Sequence, residues 1–120
     1  MRHEDSAVPP EVAELVRRAI DRVETLHVLF LLQYTAPRRW TVRDVSVERR
    51  SSRYAADMAL RTLAHHGLVS REEDGYRFAP CTDELSRRTL ALAECYRIRP
   101  TAVIALIFSG RGDPGPREAP

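Results

Sequence analysis

Lysine and asparagine are absent from this 120-residue chain, so the 19 residues counted as lysine or arginine are all arginine. Both missing residue types have AT-rich codons, and GC-rich coding accounts for the arginine without any appeal to nucleic acid. Cysteine is scarce. Cys81 and Cys95 have 13 residues between them in a segment of helical pattern, which excludes a disulfide-dense secreted scaffold and leaves both as expected free thiols. No apolar run approaches the roughly 20 residues that a membrane span requires. The start, Met1 to Glu11, carries Glu4, Asp5, Pro9 and Pro10 and no apolar signal core, so the expectation is an intracellular, cytoplasmic protein. Also missing are a Gly-rich phosphate loop, a serine or cysteine nucleophile with an evident base, and a spaced carboxylate pair, which places an enzyme reading far behind a binding one. His65 and His66 are adjacent, so on a helix they point apart, and no residue three or four positions away supplies a second ligand. No metal or cofactor is expected.

The length suits one domain, and 43% hydrophobic with 30% charged residues is the composition of a globular chain. The net charge of +2 is small, but its distribution is uneven. Residues 36 to 71 hold Arg38, Arg39, Arg43, Arg49, Arg50, Arg53, Arg61 and Arg71 against Asp44, Glu48 and Asp57, a surplus of five positive charges, while the remainder is net acidic. A basic middle between acidic ends is the footprint of a phosphate-facing element, and an ordinary solvated face is the alternative.

Along the chain, Val12, Leu15, Val16, Ala19, Ile20, Val23, Leu26 and Phe30 recur at three- and four-residue steps, which predicts one long N-terminal helix with Pro10 in its first turn. The all-round apolar run Val28 to Leu32 marks the centre of the core. Pro37 ends the pattern, and Trp40 is expected to anchor the following loop in the core. Thr41 with Asp44 forms a capping-box pattern for a short helix from Val42 to Arg49 that buries Val42 and Val45, although Val45 and Val47 also fit a strand. Ser51 or Ser52 caps the next helix, which turns Ala56, Ala59, Leu60 and Leu63 inward and stops at Gly67. Leu68 to Glu73 and Tyr76 to Ala79 bracket Asp74-Gly75, a two-residue hairpin signal that sets Glu72 opposite Arg77 and turns Tyr76 and Phe78 inward. Thr82 opens a last helical region with a stripe of Leu85, Thr89, Leu92, Ala93 and Tyr96. Pro100 interrupts it before the apolar segment Thr101 to Phe108. Residues 1–109 are read as one mainly α domain with a small β-hairpin, and the Gly- and Pro-rich stretch 110–120 as a disordered tail.

The stretch Thr41-Val42-x-Asp44-Val45, then Ser52, then Ala59-Leu60-x-x-Leu63-x-x-x-Gly67-Leu68-Val69 resembles winged helix-turn-helix regulators of the MarR and ArsR classes over about 40 residues. The resemblance implies a winged helix-turn-helix fold with long N- and C-terminal helices. It also implies a transcriptional regulator whose helix from Ser52 to His66 lies in the major groove of double-stranded DNA, with the hairpin touching the adjacent backbone or minor groove. Ser52, Arg53, Tyr54, Asp57, Met58 and Arg61 then sit at or near the DNA, joined by Arg39, Thr41, Arg43, Arg71 and Arg77. Arg53 and Arg61 suit phosphates or guanine, Ser52 suits a phosphate, and Tyr54 suits a thymine methyl. Arg38, Arg39 and Arg43 add sequence-independent attraction.

This chain departs from the pattern in three places. Arg49-Arg50-Ser51 stands where an apolar, glycine-containing turn is usual, Asp57 and Met58 where serine and arginine are common, and the hairpin tip is Glu72-Glu73-Asp74. The acidic tip and Asp57 motivate the alternative function, a winged helix that binds a protein partner and not DNA. Val103, Ile104, Ile107 and Phe108 are too many apolar residues for a small domain to hide, so the outer helices are expected to pair in a homodimer; the competing account folds the segment back over its own subunit.

Overall fold

The computed structural model describes residues 8–111 and is mainly helical. Among those residues are six helices and one two-stranded antiparallel sheet: α1 (Pro10–Ala19), α2 (Val23–Tyr34), α3 (Val42–Arg49), α4 (Arg53–His65), β1 (Val69–Glu72), β2 (Gly75–Phe78), α5 (Asp83–Ile98) and α6 (Pro100–Arg111). The described residues divide into two compact units, 24–87 on the one hand and 8–23 with 88–111 on the other. Of the stretch 110–120, Gly110 and Arg111 continue α6, and the expectation for 112–120 lies outside the described residues.

In the unit formed by the chain ends, Pro10 starts α1 where its missing N–H costs nothing. Val12, Leu15, Val16 and Ala19 form the buried stripe of α1. α6 packs on α1, with Val103 and Ile107 fully buried one turn apart. The last part of α5 adds buried Leu92 and Cys95, and Arg88 reaches Glu14 of α1 at 3.3 Å. Burial raises the Cys95 thiol above its ordinary pKa, against the opposing effect of Arg99. The expected single helix from Val12 past Phe30 is corrected here. Ile20 adopts an extended backbone (φ −112°, ψ 95°) and a new helix begins at Val23. Ile20 stays buried across the break, so the apolar rhythm passes through it unmarked, while Asp21 belongs to a residue type that favours helix boundaries over interiors. In the apolar C-terminal segment Val103 and Ile107 are buried within the chain, and Ile104 and Leu106 are half-buried. Phe108 remains 57% exposed.

The 24–87 unit is built around α2, whose Leu26, Val28, Leu29 and Leu32 are fully buried. α3 is a helix, which removes the strand alternative. Thr41 Oγ1 accepts the Asp44 N–H at 3.0 Å and the Asp44 carboxylate accepts the Thr41 N–H at 3.4 Å. Val45 is buried and Val42 half-buried. Ser52 caps α4 by accepting the Ala55 N–H at 3.0 Å, and Ala56, Ala59, Leu60 and Leu63 are buried. Gly67, at φ +77°, closes α4 as the Leu68 N–H returns to the Leu63 carbonyl.

The hairpin register differs from expectation. Glu72 pairs with Gly75 and Ser70 with Arg77, so the turn is Glu73-Asp74, and Gly75 alone of the tip residues has a positive φ, at +141°. Tyr76 exchanges backbone hydrogen bonds with Trp40 at 2.7 and 2.8 Å, and a Cβ on Gly75 would meet the Trp40 carbonyl oxygen at 2.8 Å. Glycine is thus required where the Trp40 backbone passes beside β2. Trp40 is buried as expected, donating through its indole to Thr35 Oγ1 at 2.8 Å.

Candidate nucleic-acid interface

The helical repeat arranges the expected contact residues of α4. Arg53, Asp57 and Arg61 stand four residues apart in one row, Tyr54 and Met58 form the neighbouring row, and the opposite side holds the buried stripe. Arg53 and Arg61 are exposed, Tyr54 is 71% exposed, and Asp57 and Met58 are half-buried. Arg61 Nε lies 3.0 Å from Asp57 Oδ2. Exposed helical pairs at this spacing contribute only about 0.3–0.5 kcal/mol, so the pairing does not withhold Arg61 from a stronger anion.

Thr41 and Ser52 are cap residues, as their sequence pattern suggested, each spending its side-chain oxygen on a helix N–H. Their effect on an incoming ligand is chiefly to fix how α3 and α4 start. Arg43 is exposed on α3 and Arg71 on β1. Among the described residues Arg43, Arg50, Arg53 and Arg71 have no acidic partner, so the charge of these guanidinium groups is not compensated by a carboxylate contact.

The other arginines of the basic window have internal work. Arg49 joins α3 to α2, donating to both oxygens of Glu24 at 3.1 and 3.0 Å and to His27 Nδ1 at 3.0 Å. Burial and the nearby Arg49 charge hold the His27 imidazole below its ordinary pKa, with Glu24 opposing. Arg38 stacks over Trp40, 3.7 Å from the ring centroid.

Arg39 and Arg77 both grip Glu72. Each Nε lies 2.6 Å from a different carboxylate oxygen, and Arg39 also reaches Asp74 at 3.3 Å. Arg77 was expected opposite Glu72 and instead reaches it diagonally across the ladder. The hydrogen bond from Arg39, followed by that from Arg77, holds the Glu72 carboxyl below the ordinary carboxylate range. The acidic tip is therefore largely neutralised from within, and two of the expected contact arginines are occupied.

Arg50 is a residue that sequence reasoning missed. It closes α3 in the left-handed conformation (φ 55°, ψ 46°), with the Ser51 N–H bonded to the Ser46 carbonyl at 2.9 Å. This is the position glycine normally takes, and here it holds an exposed arginine in the turn between α3 and α4. The only available signal was the lack of a glycine in that turn.

Among the described residues no group of three or more histidine, cysteine, aspartate or glutamate side chains is placed to hold a metal ion, and no helix is long and apolar enough to cross a membrane. Comparison with protein-family models, with curated proteins and with solved structures returned no match.

Proposed function

We propose that this chain is a winged helix-turn-helix transcriptional regulator that binds double-stranded DNA, with α4 as the reading helix, β1 and β2 as the wing, and no catalytic role. The observation that carries the reading is the outer row of α4, with Arg53 and Arg61 exposed and Asp57 half-buried between them, preceded by a short turn and accompanied in the same unit by Arg43, Arg50 and Arg71, which have no acidic partner among the described residues. Arginines without carboxylate partners gain most from a phosphate, since each phosphate contact releases condensed counterions. Arg53 and Arg61 suit backbone or guanine contacts, Asp57 suits a cytosine amino group, and Tyr54 offers an apolar surface for a thymine methyl.

The protein acts in the cytoplasm as a homodimer, a reading supported by the exposure of Leu90, Ile98 and Phe108. Matched α4 faces about 34 Å apart would meet successive major grooves. Light scattering at tens of micromolar is expected to give twice the chain mass, and a strict monomer removes this part of the proposal.

Fluorescence anisotropy with labelled duplexes tests the DNA reading. Salt-sensitive binding that Arg53→Ala and Arg61→Ala both weaken is the expected result, and no duplex affinity even at low salt refutes it. The alternative, a protein-interaction module, draws on the exposed Tyr54 and Val47 and on Asp57 within the same face. A pull-down that recovers one stoichiometric protein partner, with no DNA affinity, favours it.

A further inference from the structure

The grip on Glu72 has the form of an oxyanion site whose anion is supplied by the chain itself. Two guanidinium groups from separate segments, Arg39 before α3 and Arg77 on β2, converge on one carboxylate, each Nε taking its own oxygen at 2.6 Å. A backbone phosphate presents two non-bridging oxygens in a comparable spread, and arginine recognises both anions through the same fork. The scaffold is fixed by main-chain contacts, because the paired hydrogen bonds of Trp40 and Tyr76 hold the residues next to Arg39 and Arg77 in place. Gly75, across from Glu72, has no side chain to fill that face of the ladder. Arg39 and Arg77 remain 52% and 37% exposed, while Glu72 is 21% exposed, so both arginines are open to water on their far sides.

We propose that Arg39 and Arg77 form a binding site for one phosphate of the nucleic-acid backbone, and that Glu72 occupies this site in the free protein as an internal competitor. The proposal rests on the DNA-binding reading and extends it: the hairpin joins the duplex only by exchanging a carboxylate for a phosphate, which makes Glu72 an affinity-setting residue. Asp74, 3.3 Å from Arg39, remains nearby as a weaker second anion.

The test compares wild type, Glu72→Gln and Arg53→Ala in duplex binding between 50 and 200 mM salt. Removing the internal charge is expected to tighten binding roughly tenfold at low salt and to steepen the log–log salt slope by about 0.9, the increment for one further phosphate. Adding Arg39→Ala or Arg77→Ala to Glu72→Gln is expected to abolish both gains. If Glu72→Gln leaves affinity and slope unchanged while Arg53→Ala still weakens binding, the internal-competitor proposal is overturned and the DNA reading stands. If neither wild type nor Glu72→Gln binds duplex, the DNA reading fails, and inorganic pyrophosphate decides the remainder. Titration followed by the Arg39 and Arg77 Nε–H resonances must show at least tenfold tighter binding in Glu72→Gln than in wild type, and equal binding overturns the site. Melting curves and the emission of the single tryptophan, Trp40, verify folding. Should Glu72→Gln not fold, Glu72→Ser carries the same comparison.

Discussion

Replacing Arg50 by glycine is expected to make the protein more stable and a poorer DNA binder. A residue with a Cβ costs about 1–2 kcal/mol in the left-handed conformation, and Arg50 sits at φ 55°, ψ 46°. Glycine avoids that cost but surrenders about 0.5–1 kcal/mol through its greater freedom in the unfolded chain. The arginine makes no ion pair among the described residues that would be lost. The net gain is about 0.5–1 kcal/mol, which for a chain of this size raises the melting temperature by about 2–5 °C. Urea unfolding should show a higher midpoint at unchanged m-value. Arg50→Ala separates strain from charge, because it keeps the Cβ in the same conformation and removes only the guanidinium. It should leave stability close to wild type and weaken duplex binding as much as Arg50→Gly does. Equal stability of the glycine and alanine variants would refute the argument from backbone strain, and wild-type affinity in both would remove Arg50 from the interface.

Three further perturbations test the scaffold. Gly67→Ala should destabilise the protein by at least about 1–2 kcal/mol from its positive φ alone, and further because the new Cβ would lie 2.6 Å from Cys81 Sγ; repeating it in a Cys81→Ala background and comparing urea midpoints should recover only the steric part. Thr41→Ala removes the hydroxyl that accepts the Asp44 N–H, leaving the Thr41 N–H to Asp44 carboxylate bond in place, and should cost about 1 kcal/mol by the same assay, whereas Thr41→Ser should cost much less. The lowered pKa of His27 means that the unfolded chain takes up its proton first. Its contribution is therefore fully present above the ordinary imidazole value of 6.5 and is lost as pH falls from there through the folded-state value. Stability measured across this range should fall less steeply in His27→Gln than in wild type.

Local signals in the sequence correspond to local structure. Thr41 with Asp44, Ser52, Thr82 and Gly67 act at helix ends through partners within five residues, which is why the boundaries of α3, α4 and α5 were legible in advance. The break at Ile20 was not, because a buried side chain keeps the apolar rhythm even where the backbone leaves the helix. The demand for glycine at position 75 was not legible locally either, since it comes from the Trp40 backbone and not from the turn itself. The exposed face of α4 follows from helical periodicity. The pairing state of its neighbours does not, because Arg39 meets Glu72 across 33 residues and Arg49 meets Glu24 across 25. Arginine is also no signal for a left-handed cap, so Arg50 gave no warning of its role.

Whether the α3–α4 turn and the outer row of α4 touch nucleic acid is tested most directly by titrating the isotope-labelled protein with a short duplex at low salt and following its amide and arginine side-chain resonances. Shifts are expected to concentrate at Arg43, Arg50, Arg53, Tyr54 and Arg61 and to be reversed by added salt, with the buried residues of α2 unaffected. Resonances that stay in place at these positions while the duplex binds elsewhere, or that do not move at all, would contradict that contact.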